Sequence, residues 1–291
     1  MIKNLKSYFQ KFPFIAKKYR YLREFFGLIR KEKLSIYGFL WKGNKLVLDG
    51  SFEPNEIKIV SFFLNHVETV LNIGANQGFY TCISLSKNKK VFAFEPDSLN
   101  FKYLIENIKI NNWSESVEAY PLAVSNHNGL QKLYGNSTGA SLIPGWGGTS
   151  KKSFKLIPTI KLDNLILDHK KDKPLLIIVD IEGAEKLMLE GAKKLLNMEL
   201  KPIWLIEISI DEHQPLGTKI NPDLIETFKV FFSKGYRSFT AERNLTEIKM
   251  EEIQEIFTNK ENSLLFHNFV FLDKFYSEEI LKNLRTYLAL S

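Results

Sequence analysis

Apolar residues in the central part of the chain come in short blocks, not long runs. Blocks at 69–73, 90–94, 117–125, 175–179, 203–208, 236–240 and 268–272 are rich in β-branched and aromatic side chains, which suits strands. Between the first five lie stretches of helical periodicity at 77–86, 99–111 and 184–196. This alternation predicts βαβ units in an α/β fold: a Rossmann-like, doubly wound and mostly parallel sheet with helices on both faces. The wholly apolar block 175–179 suits a central strand. Upstream, the pattern predicts a short strand with a turn at 45–52 and a helix at 54–66.

Two segments depart from the rhythm. Residues 126–166 are rich in Gly, Ser and Asn and return as a strand-like stretch at 154–162. A loop of this size in a compact domain is usually functional or disordered, which makes it a candidate acceptor-binding region. At the N-terminus, apolar residues fall at 2, 5, 9, 12, 16, 19, 22, 26 and 29 with Lys and Arg between them. Steps of three and four predict an amphipathic helical arm over 1–33, broken at Pro13. Residues 31–44 read as a linker, and the folded domain is expected over 45–291.

Charge sharpens that division. The chain has 291 residues and a formal charge of +7. Residues 1–33 hold ten basic and two acidic groups, +8, and the remainder 30 basic and 31 acidic, −1. A near-neutral body argues against nucleic acid as a partner, because that would need a basic face on the folded domain. The basic arm suits docking on protein, including a second copy in a homodimer, or peripheral contact with an anionic membrane through residues 1–31. The single cysteine, Cys82, leaves no intrachain disulfide, and no block approaches the ~20 apolar residues of a membrane span. No secretory signal pattern is seen, and a cytoplasmic location is expected, peripheral to the membrane if the arm binds lipid.

The chemistry lies at the expected strand ends. The first strand runs into Asn72-Ile-Gly74-Ala75-Asn76-Gln-Gly78-Phe79-Tyr80. A glycine turn before a helix lets a ligand approach the backbone and offers N–H groups to it. The second strand ends in Glu95-Pro96-Asp97, with Glu95 21 residues after Gly74. A carboxylate there can accept both hydroxyls of a ribose, so the ligand reads as a nucleoside. The glycine spacing lacks the full G-x-G-x-x-G fingerprint, which weakens an NAD-dependent oxidoreductase without removing it. The fourth strand ends in Asp180-Ile-Glu182-Gly183-Ala-Glu185, and the fifth in Glu207. Asp180 directly follows a buried strand, a costly place for an idle charge. Asp180 and Glu207 could together hold a divalent ion, although two carboxylates are a thin ligand set and no metal site is assigned. Glu182 and Glu185 could instead serve the helix N-terminus. His213 follows the fifth strand and is a further candidate base. Trp146 either stacks on a sugar ring or anchors its loop, and Phe79 and Tyr80 either face ligand or pack their helix on the sheet.

Taken together, Asn72-Ile-Gly74-Ala-Asn76-Gln-Gly78, Phe94-Glu95-Pro96, Leu122-Ala123-Val-Ser125, Lys161-Leu-Asp163, Asp180-Ile-Glu-Gly-Ala-Glu185 and Ile206-Glu207 resemble the FkbM-type methyltransferases. These are a branch of the class I S-adenosylmethionine-dependent enzymes. The resemblance implies a seven-stranded sheet whose last strand is antiparallel. It also implies S-adenosylmethionine as cofactor and a methyl transfer to a hydroxyl of a sugar, glycolipid, polysaccharide or polyketide. It places Asn72, Gly74, Ala75, Asn76, Gly78 and Phe79 at the methionine part, Glu95 and Pro96 at the ribose, and Leu122 and Ala123 at the adenine edge. Asp180 falls nearest the acceptor, as base or orienter, with Glu182, Glu207 and His213 behind it. The chain departs from the family in having Asn72 where Asp is usual, and Ile178-Val179 where a lysine often precedes the aspartate. A non-catalytic cofactor-binding module is the remaining alternative.

Overall fold

The computed structural model describes residues 27–28, 31–165, 172–274 and 277–290. Most of the arm expected over 1–33, with its break at Pro13, lies outside the described residues. In chain order the strands are β1 (Lys33–Leu34), β2 (Leu40–Trp41), β3 (Thr69–Ile73), β4 (Lys90–Phe94), β5 (Val117–Tyr120), β6 (Ala123–Val124), β7 (Gly129–Tyr134), β8 (Phe154–Ile160), β9 (Leu175–Val179), β10 (Ile203–Glu207), β11 (Tyr236–Thr240), β12 (Glu247–Ile248) and β13 (Asn268–Asp273). The helices are α1 (Leu46–Asp49), α2 (Pro54–Phe63), α3 (Phe79–Ser86), α4 (Ser98–Ile110), α5 (Glu185–Glu190), α6 (Lys193–Leu196), α7 (Leu224–Phe232), α8 (Met250–Asn259) and α9 (Ser277–Leu290).

The main sheet has the order β12-β11-β13-β10-β9-β3-β4-β5. β5, β4, β3, β9 and β10 pair in parallel, and β13 runs antiparallel between β10 and β11. This is the expected seven-stranded arrangement, with the two-residue β12 added at the edge. Alternate side chains of each strand enter opposite cores. Leu176 and Ile178 face α2, α3 and α9, while Leu175, Ile177 and Val179 face α5, α6, α7 and α8. The second core is rich in aromatic rings, with Phe231 stacked on Phe271 at 3.8 Å.

Several expectations change. Residues 45–52 form no strand: 46–49 make one helical turn, which Asn44 starts by accepting the Leu46 N–H and left-handed Gly50 stops. Residues 31–44 are no linker. They form the β1–β2 hairpin, and Phe39 and Trp41 insert into the main core. The block 117–125 splits in two, because Pro121 has no N–H to continue a ladder. β5 stays in the main sheet and β6 begins a second one. That sheet, β6-β8-β7, is what the long loop becomes. The helix expected at 184–196 breaks at Gly191, which lies against the Ser125 carbonyl. Asp163 then restarts it, accepting the Lys194 N–H at 2.8 Å.

Candidate active site

The parallel strands β3, β4 and β9 end on one edge of the sheet, and two clefts open there. The first lies where the ends of β3, β4 and β9 meet the β6-β8-β7 sheet. Gly74, Asn76, Glu95, Pro96, Leu122, Ala123, Asp180 and Glu182 border it. The second cleft is larger, about 820 Å³, and is walled by the β2–α1 segment, Phe52, Glu53, Asn72, Ala75, Phe79 and Tyr80. The clefts share Gly74, Asn76, Thr138 and Asp180.

The glycine loop does not present open amides as expected. Gly74 and Ala75 both donate to the Phe94 carbonyl, Gly78 donates to Ala75, and Asn76 N–H donates to Glu95 Oε2 at 2.7 Å. The loop is bolted to β4 instead, and Gly74 lets it pass β9. A Cβ at Gly74, where φ is +83°, would lie 1.7 Å from the Asp180 carbonyl oxygen. Gly78 borders neither cleft and packs on Leu104. Asn72 is buried, and its side-chain amide donates to Thr81 at 2.9 Å, tying β3 to α3. Phe79 lies among Tyr37, Trp41 and Phe52, so it packs its helix while also walling the second cleft.

Glu95 is 5% exposed, and its second oxygen accepts from Asp97 N–H at 2.7 Å. The Asn100 side chain also bonds this carboxylate, so three of its four lone-pair sites are used and one is left for a ribose hydroxyl. Burial pushes this acid up to about 7, against the pull of the Asp97 and Asn76 amides. The fit of a nucleoside is tested by what the cleft leaves unsatisfied. Among the described residues five buried side-chain polar atoms lack a partner, and three of them, Asn76 Oδ1, Asn100 Oδ1 and Ser137 Oγ, belong to residues of this cleft. Buried unpaired groups are rare and costly, so such a concentration marks a place where a polar ligand completes the bonding. Asn100 and Ser137 were not singled out in the sequence. Asn100 looks like one more polar residue of a helix, and Ser137 like loop.

The acidic residues after β9 divide by role. Glu185 turns back to accept the Gly183 N–H at 2.9 Å, serving its own helix start. Glu182 accepts the Trp146 indole N–H at 2.7 Å, with His213 Nδ1 at 3.7 Å from the same oxygen. Trp146 is 2% exposed and lies flat against Gly183, so it anchors the loop and has no face for a sugar. His213 packs edge-on to Trp146 and borders neither cleft. Asp180 alone of these borders both. Burial, then the charges of Glu207, Glu182, Glu53 and Glu185, hold its carboxyl well above the usual range. Glu207 sits behind it and is raised to about 8 by burial and by Glu182, Glu185 and Glu53. Among the described residues no Lys or Arg forms an ion pair with Glu53, Asp180 or Glu207, and no group of three or more His, Cys, Asp or Glu is placed to hold a metal ion.

Sequence reasoning missed Glu53 and Tyr80 as a pair. The Tyr80 hydroxyl donates to Glu53 Oε2 at the wall of the second cleft. The only signal was an acid before a proline at a helix start, which reads as a cap.

Comparison with known proteins places this geometry. The family model of the methyltransferase FkbM domain matches residues 72–238, more than half of the chain. A search of curated proteins found no match. Similar solved structures include a precorrin-6y C5,15-methyltransferase from Geobacter metallireducens, at 12% identity over 64% of this chain and 72% of that one, TM-score 0.36. An O-methyltransferase from Bacillus cereus in complex with SAH is 11% identical over 77% and 81%, TM-score 0.40. M. jannaschii TYW2 in complex with AdoMet is 15% identical over 83% and 85%, TM-score 0.39. The family match spans the glycine loop, Glu95 and the Asp180 segment together, and the chain belongs to the FkbM methyltransferase family, as an S-adenosylmethionine-dependent methyltransferase.

Proposed function

We propose that this enzyme transfers a methyl group to a hydroxyl of a sugar, glycolipid or polysaccharide-type acceptor. The observation that carries this is the second cleft, which meets the nucleoside cleft at Asp180 and is walled there by carboxylates without basic ion-pair partners. Carboxyl groups that can both donate and accept, on a wall shared with the Phe52, Phe79 and Tyr80 rings, suit a neutral, hydroxyl-rich ligand.

Bound S-adenosylmethionine supplies an electrophilic methyl carbon on a sulfonium sulfur. Asn76, Asn100 and Ser137 would hold its nucleoside with Glu95, and Leu122 and Ala123 would flank the base. What the chain must add is alignment of the hydroxyl, worth several kcal/mol of barrier, and a place for its proton. Burial and the surrounding carboxylates favour the protonated form of Asp180, which can donate a hydrogen bond that orients the acceptor oxygen. Incubation with methyl-labelled cofactor and a glycan extract should leave alkali-stable label on sugar. Label confined to protein or nucleic acid would overturn the acceptor class.

The arm's +8 charge supports contact with an anionic membrane, where lipid-linked sugars would be met. No helix among the described residues is long and apolar enough to cross a membrane. Vesicles containing anionic lipid should retain the full chain and release one lacking residues 1–31. Equal retention would rule the arm out as anchor.

A further inference from the structure

We propose that Glu53 is the group that takes the acceptor's hydroxyl proton, held for that task by the Tyr80 hydroxyl. The proposal rests on the hydroxyl-acceptor reading and adds to it a residue upstream of the matched family domain.

Three independent features of the geometry lead there. First, Glu53 occupies the N-cap position of α2 but does not cap it. Here the helix start is handled by Pro54, which has no N–H, and the Glu53 side chain goes elsewhere. Second, its backbone is left-handed, with φ 46° and ψ 58°, a conformation that non-glycine residues rarely adopt without return. The turn directs the carboxyl to Tyr80 and the wall of the second cleft, the wall that also holds Asp180. Third, the adjoining cleft contains the unpartnered Asn100 and Ser137 atoms, so the ligand whose methyl would be attacked belongs next to this wall.

The chemistry separates Glu53 from Asp180. Burial raises Glu53 to about 7, the Tyr80 hydrogen bond pulls it down, and Glu56 pushes it up. An acceptor of protons works best with a pKa near the working pH. Burial and the charges of Glu207, Glu182, Glu53 and Glu185 oppose ionisation of Asp180, whereas the Tyr80 hydroxyl donates to the ionised form of Glu53. The groups facing Glu53 are Tyr80 from α3, Glu56 from α2, Asp180 after β9 and Glu207 from β10. Lys45 borders the cleft without pairing to it. In the step itself, the acceptor O–H proton passes to Glu53 and an oxygen lone pair forms the O–C bond. The C–S bond breaks with its electron pair kept on sulfur. A methyl ether, S-adenosylhomocysteine and neutral Glu53 result, and Glu53 then returns its proton to solvent.

The test is Glu53→Gln, which keeps the shape and an oxygen to accept from Tyr80. Turnover should fall about 10²–10³-fold with KM and S-adenosylhomocysteine affinity within about threefold, and the acid limb of the pH–kcat profile should vanish. Tyr80→Phe should lose less and move that limb to higher pH, since it removes a bond to the ionised form. A tie that is merely structural would lower the melting temperature in both variants and leave the pH profile in place. A second readout needs no acceptor. Sinefungin carries an amine where the methyl group sits, and its calorimetric preference over S-adenosylhomocysteine should be several-fold greater at pH 8.5 than at pH 5.5. In Glu53→Gln that pH dependence should shrink. If it does not, Glu53 is not beside the reacting centre, whatever the acceptor. If it does shrink while no glycan is labelled, the acceptor class is wrong and Glu53 stands.

Discussion

Gly74→Ala should abolish cofactor binding. The methyl group would sit 1.7 Å from a main-chain oxygen, that of Asp180, and a backbone atom cannot swing aside. The strands it joins are locked at this level, because Asp180 N–H donates to the Ile73 carbonyl at 3.0 Å. The residue also adopts φ +83°, which alone costs an alanine about 1–2 kcal/mol. Relief requires the loop to lift from β9, and the loop carries the Asn76 N–H that holds Glu95. Affinity for S-adenosylhomocysteine should therefore fall at least ~100-fold, with stability lower by about 3 kcal/mol or more. Gly139→Ala is the control, having open space around its Cβ and no positive φ, and should change neither quantity. Binding of the Gly74 variant within threefold of the parent would show that the loop can be rebuilt without this close approach.

Much of the fold was legible because a doubly wound sheet broadcasts it. β3, β4 and β9 match their apolar blocks end to end, since strands covered on both faces have no polar alternation to blur them. The parts that were missed bury one face or one residue. β7, Gly129–Tyr134, is exposed at half its positions and reads as loop. The β1–β2 hairpin has strands of two residues, too short for any periodicity, and is held by Phe39 and Trp41. The site was legible where a residue type is costly to bury in that pattern, as at Glu95 and Asp180. It was not legible where the role depends on which side chain faces which. Trp146 could stack on sugar until its indole N–H was seen bonded to Glu182. Glu53 has an ordinary explanation in its own helix, and only the fold brings Tyr80 and Asp180 alongside to displace it.

Replacing Asp180 separates orienting from proton transfer, and does so with a gain in stability. Asp180→Ala should reduce turnover by about 10³-fold while cofactor affinity stays within a few-fold, because Glu95, Asn76, Asn100 and Ser137 remain. Asp180→Asn should recover to within about 30-fold of the parent, since an amide still donates the orienting hydrogen bond. An asparagine variant as inactive as the alanine one would make Asp180 the base and displace Glu53. The stability of these variants follows from the same charges. Asp180 and Glu207 have raised carboxyls in the folded state, so their protonated forms stabilise the fold at low pH. That stabilisation is complete below the unfolded values near 4 and is lost as pH climbs through the folded ones, up to about 8 for Glu207. The parent should therefore melt several degrees lower at pH 8.5 than at pH 5.5. Asp180→Ala removes one member of the repelling set and should lose part of this slope, melting higher than the parent at pH 8.5. The unpaired carboxylates at the sheet edge cost that stability; burial and mutual repulsion favour the protonated form of Asp180, while burial and Glu56, against the Tyr80 hydrogen bond, set Glu53 at about 7, where it can accept a proton near neutral pH.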